Sequence, residues 1–200
     1  MRYASVTDRL ADLGGAKWAV HARARAMKAA GHKVIELTIG EPDVPTPDVF
    51  KDAVKDALDA NRTGYSNGRG EPDTLTALAR RYSERLGRTI GSDQILCLPG
   101  TQTALYAVLT GLVETGDEVI IGDPMYATYA GLIASTGASM VPVALRPENG
   151  FVMKAADVAP LITPRTRLLF LNSPHNPTGA VLPRAEIEAL GALARAHDLW

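Results

Sequence analysis

Along this chain, apolar residues recur every three to four positions in some stretches and run together in others, and the two patterns predict an alternation of helices and strands. Ala, Arg and Lys with Trp18, Val20 and Met27 give residues 16–30 a helical composition that stops at Gly31. A short strand is expected over Val34 to Ile39. The loop Gly40, Glu41, Pro42, Asp43, Pro45 and Pro47 follows, which no helix can cross, and Val49, Phe50, Ala53, Val54, Ala57 and Leu58 then restore helical spacing. A turn-rich stretch from Thr63 to Gly70 leads to an amphipathic helix from Pro72 to Leu86. Ser92 and Asp93 introduce a predicted strand, Gln94 to Leu98.

After Pro99 and Gly100, Ala104 to Val113 reads as a buried helix, closed by Gly116 and Asp117. Expected next are a strand over Glu118 to Ile121, a helix opened by Asp123 and Pro124 and closed near Gly137, and a strand over Met140 to Leu145. A turn at Pro147 to Gly150, a helix near Ala155 to Ile162, a strand from Arg167 to Asn172 and a helix from Pro183 to His197 complete the order. Nearly continuous apolar strands joined by connections long enough for crossovers imply an α/β fold, a mostly parallel sheet with helices on both faces. No internal repeat, low-complexity tract or flexible linker interrupts it.

Composition narrows the function. With 46% hydrophobic and 22% charged residues, 200 residues suit one soluble globular domain or one and a fraction. The 21 basic and 22 acidic side chains nearly cancel, so no general attraction to nucleic acid or an anionic membrane is implied. Cys97 is the single cysteine and excludes an intrachain disulfide; its apolar run, Ile95 to Leu98, suits a buried strand in a reducing compartment, with the cytoplasm as default. Arg2, Asp8, Arg9 and Asp12 interrupt the amino terminus, so no signal-peptide core is present, and no apolar stretch is long enough to span a bilayer.

Ligands of such sheets gather at the carboxyl ends of the strands. Four loops there carry chemistry. Asn172, Ser173, Pro174, His175, Asn176, Pro177, Thr178 and Gly179 form either a proline-rich turn or a reactive site in which two prolines hold the Asn176 amide out of the sheet. Gly100, Thr101 and Gln102 open a helix whose free N–H groups favour a phosphate, or Thr101 simply caps it. Neither a Walker loop nor a three-glycine dinucleotide pattern is present. Tyr126 and Tyr129, three apart at the expected start of a helix, offer a ring for an aromatic cofactor or pack in the core. Gly40 follows the first expected strand. Elsewhere, Tyr65 to Gly70 forms a mobile polar loop or carries the Tyr65 phenol and Arg69 guanidinium to an anion. The four histidines, His21, His32, His175 and His197, lack metal-binding spacing.

In this order the segments Gly40 to Pro47, Tyr65 to Gly70, Gly100 to Leu105, Gly116 to Val119, Asp123 to Tyr129 and Asn172 to Gly179 closely resemble the class I/II aminotransferases. These are fold type I enzymes that use pyridoxal 5'-phosphate, of the aspartate aminotransferase-like superfamily. The resemblance runs over essentially the whole chain. Met1 to Tyr3, Glu148 to Phe151, Ile162 to Arg167 and Ala196 to Trp200 look most like arginine–pyruvate transaminases, while Thr76 stands after Leu75 where the family usually has arginine.

The resemblance implies an amino-acid:2-oxo-acid aminotransferase in which Gly100, Thr101 and Gln102 hold the cofactor phosphate and Tyr126 stacks on its ring. Asn176 would hydrogen-bond the ring phenolate oxygen and approach the substrate, and the Gly40 backbone would meet the substrate carboxylate. Tyr65 would reach the phosphate bound by a partner subunit, so a homodimer with shared active sites follows. A cis bond between Asn176 and Pro177 is expected.

Residues 1–45 would form an amino-terminal arm, helix and strand belonging to a smaller domain, and residues 46–200 the first part of the large cofactor-binding domain. No residue here matches the family's catalytic lysine: Lys17, Lys28, Lys33, Lys51, Lys55 and Lys154 all lack its serine-rich context. The ring-nitrogen aspartate, a later tyrosine, the basic residue behind the phosphate and the carboxylate-clamping arginine are absent too, so these residues alone are expected to be inactive. A lyase on the same scaffold, or a ligand-sensing aminotransferase-like module, are the alternatives.

Overall fold

The computed structural model describes residues 2–13 and 15–200, without the side chains of Ala16 and Lys17. Two compact units pack separately, one from Met1–Ala22 with Leu105–Trp200 and one from Arg23–Ala104. The helices are α1 (Ser5–Leu10), α2 (Gly15–Ala29), α3 (Asp48–Asp59), α4 (Pro72–Leu86) and α5 (Thr101–Leu112), followed by α6 (Tyr129–Thr136), α7 (Ala155–Val158) and α8 (Arg184–Ala196). The strands are β1 (Glu118–Asp123), β2 (Ser139–Ala144) and β3 (Thr166–Phe170).

The first unit is built around β1, whose sequence is apolar on both faces because both are covered. It lies in the middle of an all-parallel sheet ordered β2-β1-β3. Val119 and Ile121 point to one layer with Leu109 of α5, Leu132 and Ile133 of α6, and Leu168 and Phe170 of β3. Ile120 points to the other with Val143, Leu145, Met153, Val158 of α7 and Leu190 of α8. The expected parallel sheet with helices on both faces is therefore present. Each of these aliphatic side chains contributes about 1.5–3 kcal/mol by leaving water.

Polar contacts fix the rim of this core. Glu118, at the amino end of β1, accepts from the Thr163 hydroxyl at 2.6 Å and from Arg165 Nη2 at 2.5 Å. These two partners, the Thr163 hydroxyl first, hold its carboxyl below the usual glutamate range against the opposing effect of burial. Arg9 of α1 donates to the carbonyls of Ala134 at 2.9 Å and Ser135 at 3.3 Å, placing a cation on the last turn of α6. Trp200 forms a parallel bridge opposite Leu168 on the outer edge of β3: its N–H donates to Arg167 at 3.0 Å, and its carbonyl accepts from Leu169 at 2.9 Å.

In the second unit, α4 carries proline in its first turn and ends at Gly87 in the left-handed region. Leu75 and Ala79 are its buried residues, and the Ser83 hydroxyl accepts the Ile90 N–H at 2.8 Å, turning the chain back along the helix. Helix α3 has the expected amphipathic spacing, yet Val49, Phe50, Val54 and Leu58 are all exposed.

Several expectations are corrected. Residues 34–39 and 94–98 form no strand. Ile35 and Leu37 are 89% and 90% exposed, and no neighbouring segment among the described residues pairs with them. Ile95 is extended, but the Cys97 N–H to Arg69 carbonyl bond at 2.8 Å is a single link where a ladder needs a series. Cys97 is consequently exposed, not buried. Helix α5 buries Leu109 while Tyr106 and Val108 stay half-exposed, so it is not a buried helix throughout. The helix expected from Asp123 starts only at Tyr129. The one expected near Ala155 to Ile162 shortens to α7 and a 3-10 turn at Ala159–Leu161, where Pro160 supplies no N–H. Helix α1 has no counterpart in the sequence reading.

Candidate functional site

Strands β1 and β3 are neighbours, so the loops leaving their carboxyl ends emerge side by side. The β1 loop carries Tyr126 and leads into α6. Tyr126 and Tyr129 meet edge to face with ring centres 5.4 Å apart, and Tyr129 lies 4.7 Å from Phe170. They do not share a helical face as the spacing implied, because Tyr126 precedes α6. Their roles divide: Tyr129 packs against the core, where burial first and then Tyr126 push its phenol above the ordinary value. Tyr126 remains 38% exposed and offers part of its ring to a ligand.

The β3 loop is tied to itself at almost every turn. The Asn176 N–H donates to Asn172 Oδ1 at 2.8 Å, the His175 N–H to the Ala180 carbonyl at 2.8 Å, and the Gly179 N–H to the His175 carbonyl at 2.7 Å. The Ser173 hydroxyl accepts the Leu182 N–H at 3.0 Å. Gly179, with φ of +76°, makes the exit turn that a side chain would strain. The peptide bond from Asn176 to Pro177 is cis, as expected, and those preceding Pro124 and Pro174 are cis as well. Held on this frame, the Asn176 side chain is exposed and has no hydrogen-bond partner among the described residues.

Beneath the two loops lies an apolar crevice lined by Met125, Tyr129, Phe170, His175 and Leu182 among others, with about 20 Å³ open to the centre of a water. That space holds roughly one water molecule. As it stands, the crevice has no room for a ligand larger than water. His175 forms part of its wall, and its imidazole Nδ1 lies 2.7 Å from the Thr178 hydroxyl.

The second unit, taken by itself, also carries open donors. Gly100 has φ of +91°, in the region that favours glycine, and its carbonyl accepts the first α5 bond, from Ala104 at 3.1 Å. The N–H groups of Thr101, Gln102 and Thr103 precede that first bond and are left open at the positive end of a 12-residue helix. This donor set suits a phosphate. Gly40 is exposed and in irregular chain.

Tyr65 is fully exposed, whereas Arg69 is committed to the fold: its guanidinium donates to the Asp93 carbonyl and, at 3.3 Å, to that of Ile95. Of the two groups that this loop was expected to offer an anion, the phenol makes no contact among the described residues, while the guanidinium, anchored through Nη2, keeps its Nε and Nη1 N–H groups unpaired. Asn67 Oδ1 accepts the N–H groups of both Arg69 and Gly70, each at 3.1 Å, and shapes the turn.

Among the described lysines, Lys28, Lys51 and Lys55 pair with Glu36, Asp48 and Asp52 at 2.6, 2.6 and 2.9 Å, and Lys154 bonds Asn149 at 3.1 Å. No metal-binding cluster occurs among the described residues. The reading of His175 as a solvated or hydrogen-bonded histidine, not a metal ligand, fits its contact with Thr178.

The chain belongs to the aminotransferase class I and II family, whose model matches residues 32–200. It is 47% identical over its full length to the arginine–pyruvate transaminase AruH of Pseudomonas aeruginosa, covering 51% of that protein. It is 37% identical over 182 residues, or 91% of the chain, to an aspartate/prephenate aminotransferase of Thermus thermophilus, covering 47% of it. A solved Thermus thermophilus aspartate aminotransferase superimposes on the whole chain with a TM-score of 0.90 at 37% identity, with 52% of that structure covered. The chain thus spans about half the length of these curated relatives.

Proposed function

We propose that these residues form the amino-terminal part of a pyridoxal-phosphate-dependent aminotransferase that moves an amino group between an amino acid and a 2-oxo acid. Membership of the family supports this reading, and the observation that carries it is the Asn176 amide. It stands unpaired on a loop whose backbone is otherwise bonded, at the carboxyl edge of a parallel sheet. Bound pyridoxal phosphate would supply an electron sink for charge at the substrate carbon.

The chain's own residues bind and orient. The open N–H groups of Thr101 and Gln102, and the turn at Gly100, take the phosphate; the exposed face of Tyr126 stacks on the ring; Asn176 donates to the ring oxygen. The Gly40 backbone meets the substrate carboxylate. Tyr65 serves the active site of a second copy in a homodimer, an assignment that its complete exposure favours. Residues 1–45 belong with a small domain and 46–200 with the large one. The lysine that anchors the cofactor and moves the proton lies in polypeptide beyond Trp200. The cytoplasm is the proposed location; no helix among the described residues is long and apolar enough to cross a membrane.

The test is an absorbance spectrum after dialysis with pyridoxal phosphate, of these 200 residues beside a polypeptide extended along the same reading frame. A visible band in the extended form alone, fixed to a lysine by borohydride, is expected. No band in either would overturn the cofactor assignment. Arginine with pyruvate, the pair in the name of the Pseudomonas relative, is the first substrate pair to try.

A further inference from the structure

Asn176 is exposed, and its N–H makes the one hydrogen bond that the residue has among the described residues, to Asn172 Oδ1 at 2.8 Å. The other bonds of the β3 loop pass it by. They join His175 to Ala180, Gly179 to His175 and Leu182 to Ser173, while Pro177, which follows Asn176, has no N–H to give. Asn172 is placed differently. It stands two residues after Phe170, the buried end of β3, which pairs with Ile121 of the middle strand. It is itself half-buried, in the wall of the crevice. The bond therefore runs from the fixed end of the sheet to the exposed residue four positions on.

We propose that Asn172 is a positioning residue: its side-chain oxygen takes the Asn176 N–H and so fixes the direction in which the Asn176 amide is presented to a ligand. Every residue between the two has soft backbone torsions, and a bond to the Asn176 N–H sets the peptide plane from which its side chain departs. On binding, the amide then has only its own side-chain torsions to fix, which lowers the entropic cost. The acceptor is also uncharged. Aspartate would accept the same N–H, but it would bring a negative charge to the edge where the anionic ring oxygen is proposed to lie. The proposal rests on the reading of Asn176 as the donor to that oxygen.

The experiment uses the full-length protein, first without pyridoxal phosphate and then with it. Asn172→Ala and Asn172→Leu both remove the acceptor, and leucine keeps most of the volume. Asn172 belongs to neither core cluster, so both variants keep the fold. In the cofactor-free protein the Asn176 amide should exchange with solvent about fivefold faster in each, the worth of one such hydrogen bond. The dissociation constant of the cofactor should rise by about the same factor. The pH midpoint of the visible band should rise too, because a displaced donor stabilises the ring oxygen anion less. Asn172→Asp should keep the Asn176 amide protected. Its charge acts on the ring directly, so any band shift it causes should persist in an Asn176→Ala background, whereas the shifts of the alanine and leucine variants should vanish there. A role in folding alone would not produce that difference.

Unchanged exchange at Asn176 in the alanine and leucine variants, wild-type affinity and midpoint in the leucine variant, or alanine and leucine shifts that persist in full in the Asn176→Ala background would each overturn the proposal and leave the cofactor reading standing. A wild-type protein that shows no band would overturn the cofactor reading, and the positioning role with it.

Discussion

Gly70 shows how one missing methyl group shapes the second unit. Its φ is +120°, and a Cβ built there would lie 2.9 Å from the Cys97 Cβ and 3.3 Å from Leu75. Cys97 cannot yield easily, because its N–H is bonded to the Arg69 carbonyl one residue away. Gly70→Ala should therefore cost about 1–3 kcal/mol, read as a lower urea midpoint with an unchanged slope. Glu118 gives a prediction in pH. Its carboxyl is held below its usual range, first by the Thr163 hydroxyl and then by Arg165, so its contribution is complete above the unfolded glutamate value. That contribution disappears as pH falls through the lower folded value. Glu118→Gln should flatten the acid limb of a stability-against-pH curve, and an unchanged limb would assign acid sensitivity elsewhere. At this scale the Asn176 loop was legible, because two prolines and a glycine declare a turn by themselves. The commitment of Arg69 to Asp93 and Ile95 was not, since a guanidinium in a polar loop looks the same whether it awaits an anion or holds two distant carbonyls.

At the scale of elements, burial and pairing decided which patterns became structure. β1 reads as a central strand because Val119, Ile120 and Ile121 leave no polar face, and it is covered on both sides. Residues 34–39 alternate as a strand should, but a strand is a relation between segments and no local pattern supplies its partner. Helix α1 escaped the reading because its anchor is long-range: Arg9 reaches the end of α6, whose last residues are more than 120 positions away in sequence. Arg9→Ala should remove that anchor at a cost of about 0.5–1.5 kcal/mol. The expected signature is local: faster amide exchange in the carbonyl-end turn of α6 and in α1, with the sheet unaffected. Uniformly faster exchange would show instead that α1 is integral to the sheet core.

For the whole molecule, the distribution of exposed apolar groups matters most. Ile35 and Leu37 stand open in irregular chain, and Val49, Phe50, Val54 and Leu58 form an uncovered face on α3. Contiguous surface of this kind favours association in water. These 200 residues alone should therefore sediment as concentration-dependent oligomers and should not transaminate, whereas the extended polypeptide should sediment as a discrete species on the proposed reading. A monodisperse short form would mean that these faces are tolerated in solvent. The α/β class was readable from the alternation of elements, but the division into two units was not, because it depends on which helices share a core. Helix α5 belongs partly to each unit, and its apolar sequence hides that change of environment.

The bridge between Trp200 and Leu168 makes the outer side of β3 a template with direction and register already chosen. Polypeptide continuing in that register would run parallel to β3, and a residue about four positions beyond Trp200 would come level with Asn172. Whatever side chain stands there would emerge on the same edge as Tyr126 and Asn176. On the proposed reading, a separately synthesised carboxyl-terminal fragment would find in this sheet a ready seam to zip into, and the first residues to engage would be those that complete the edge where the ligand is proposed to lie.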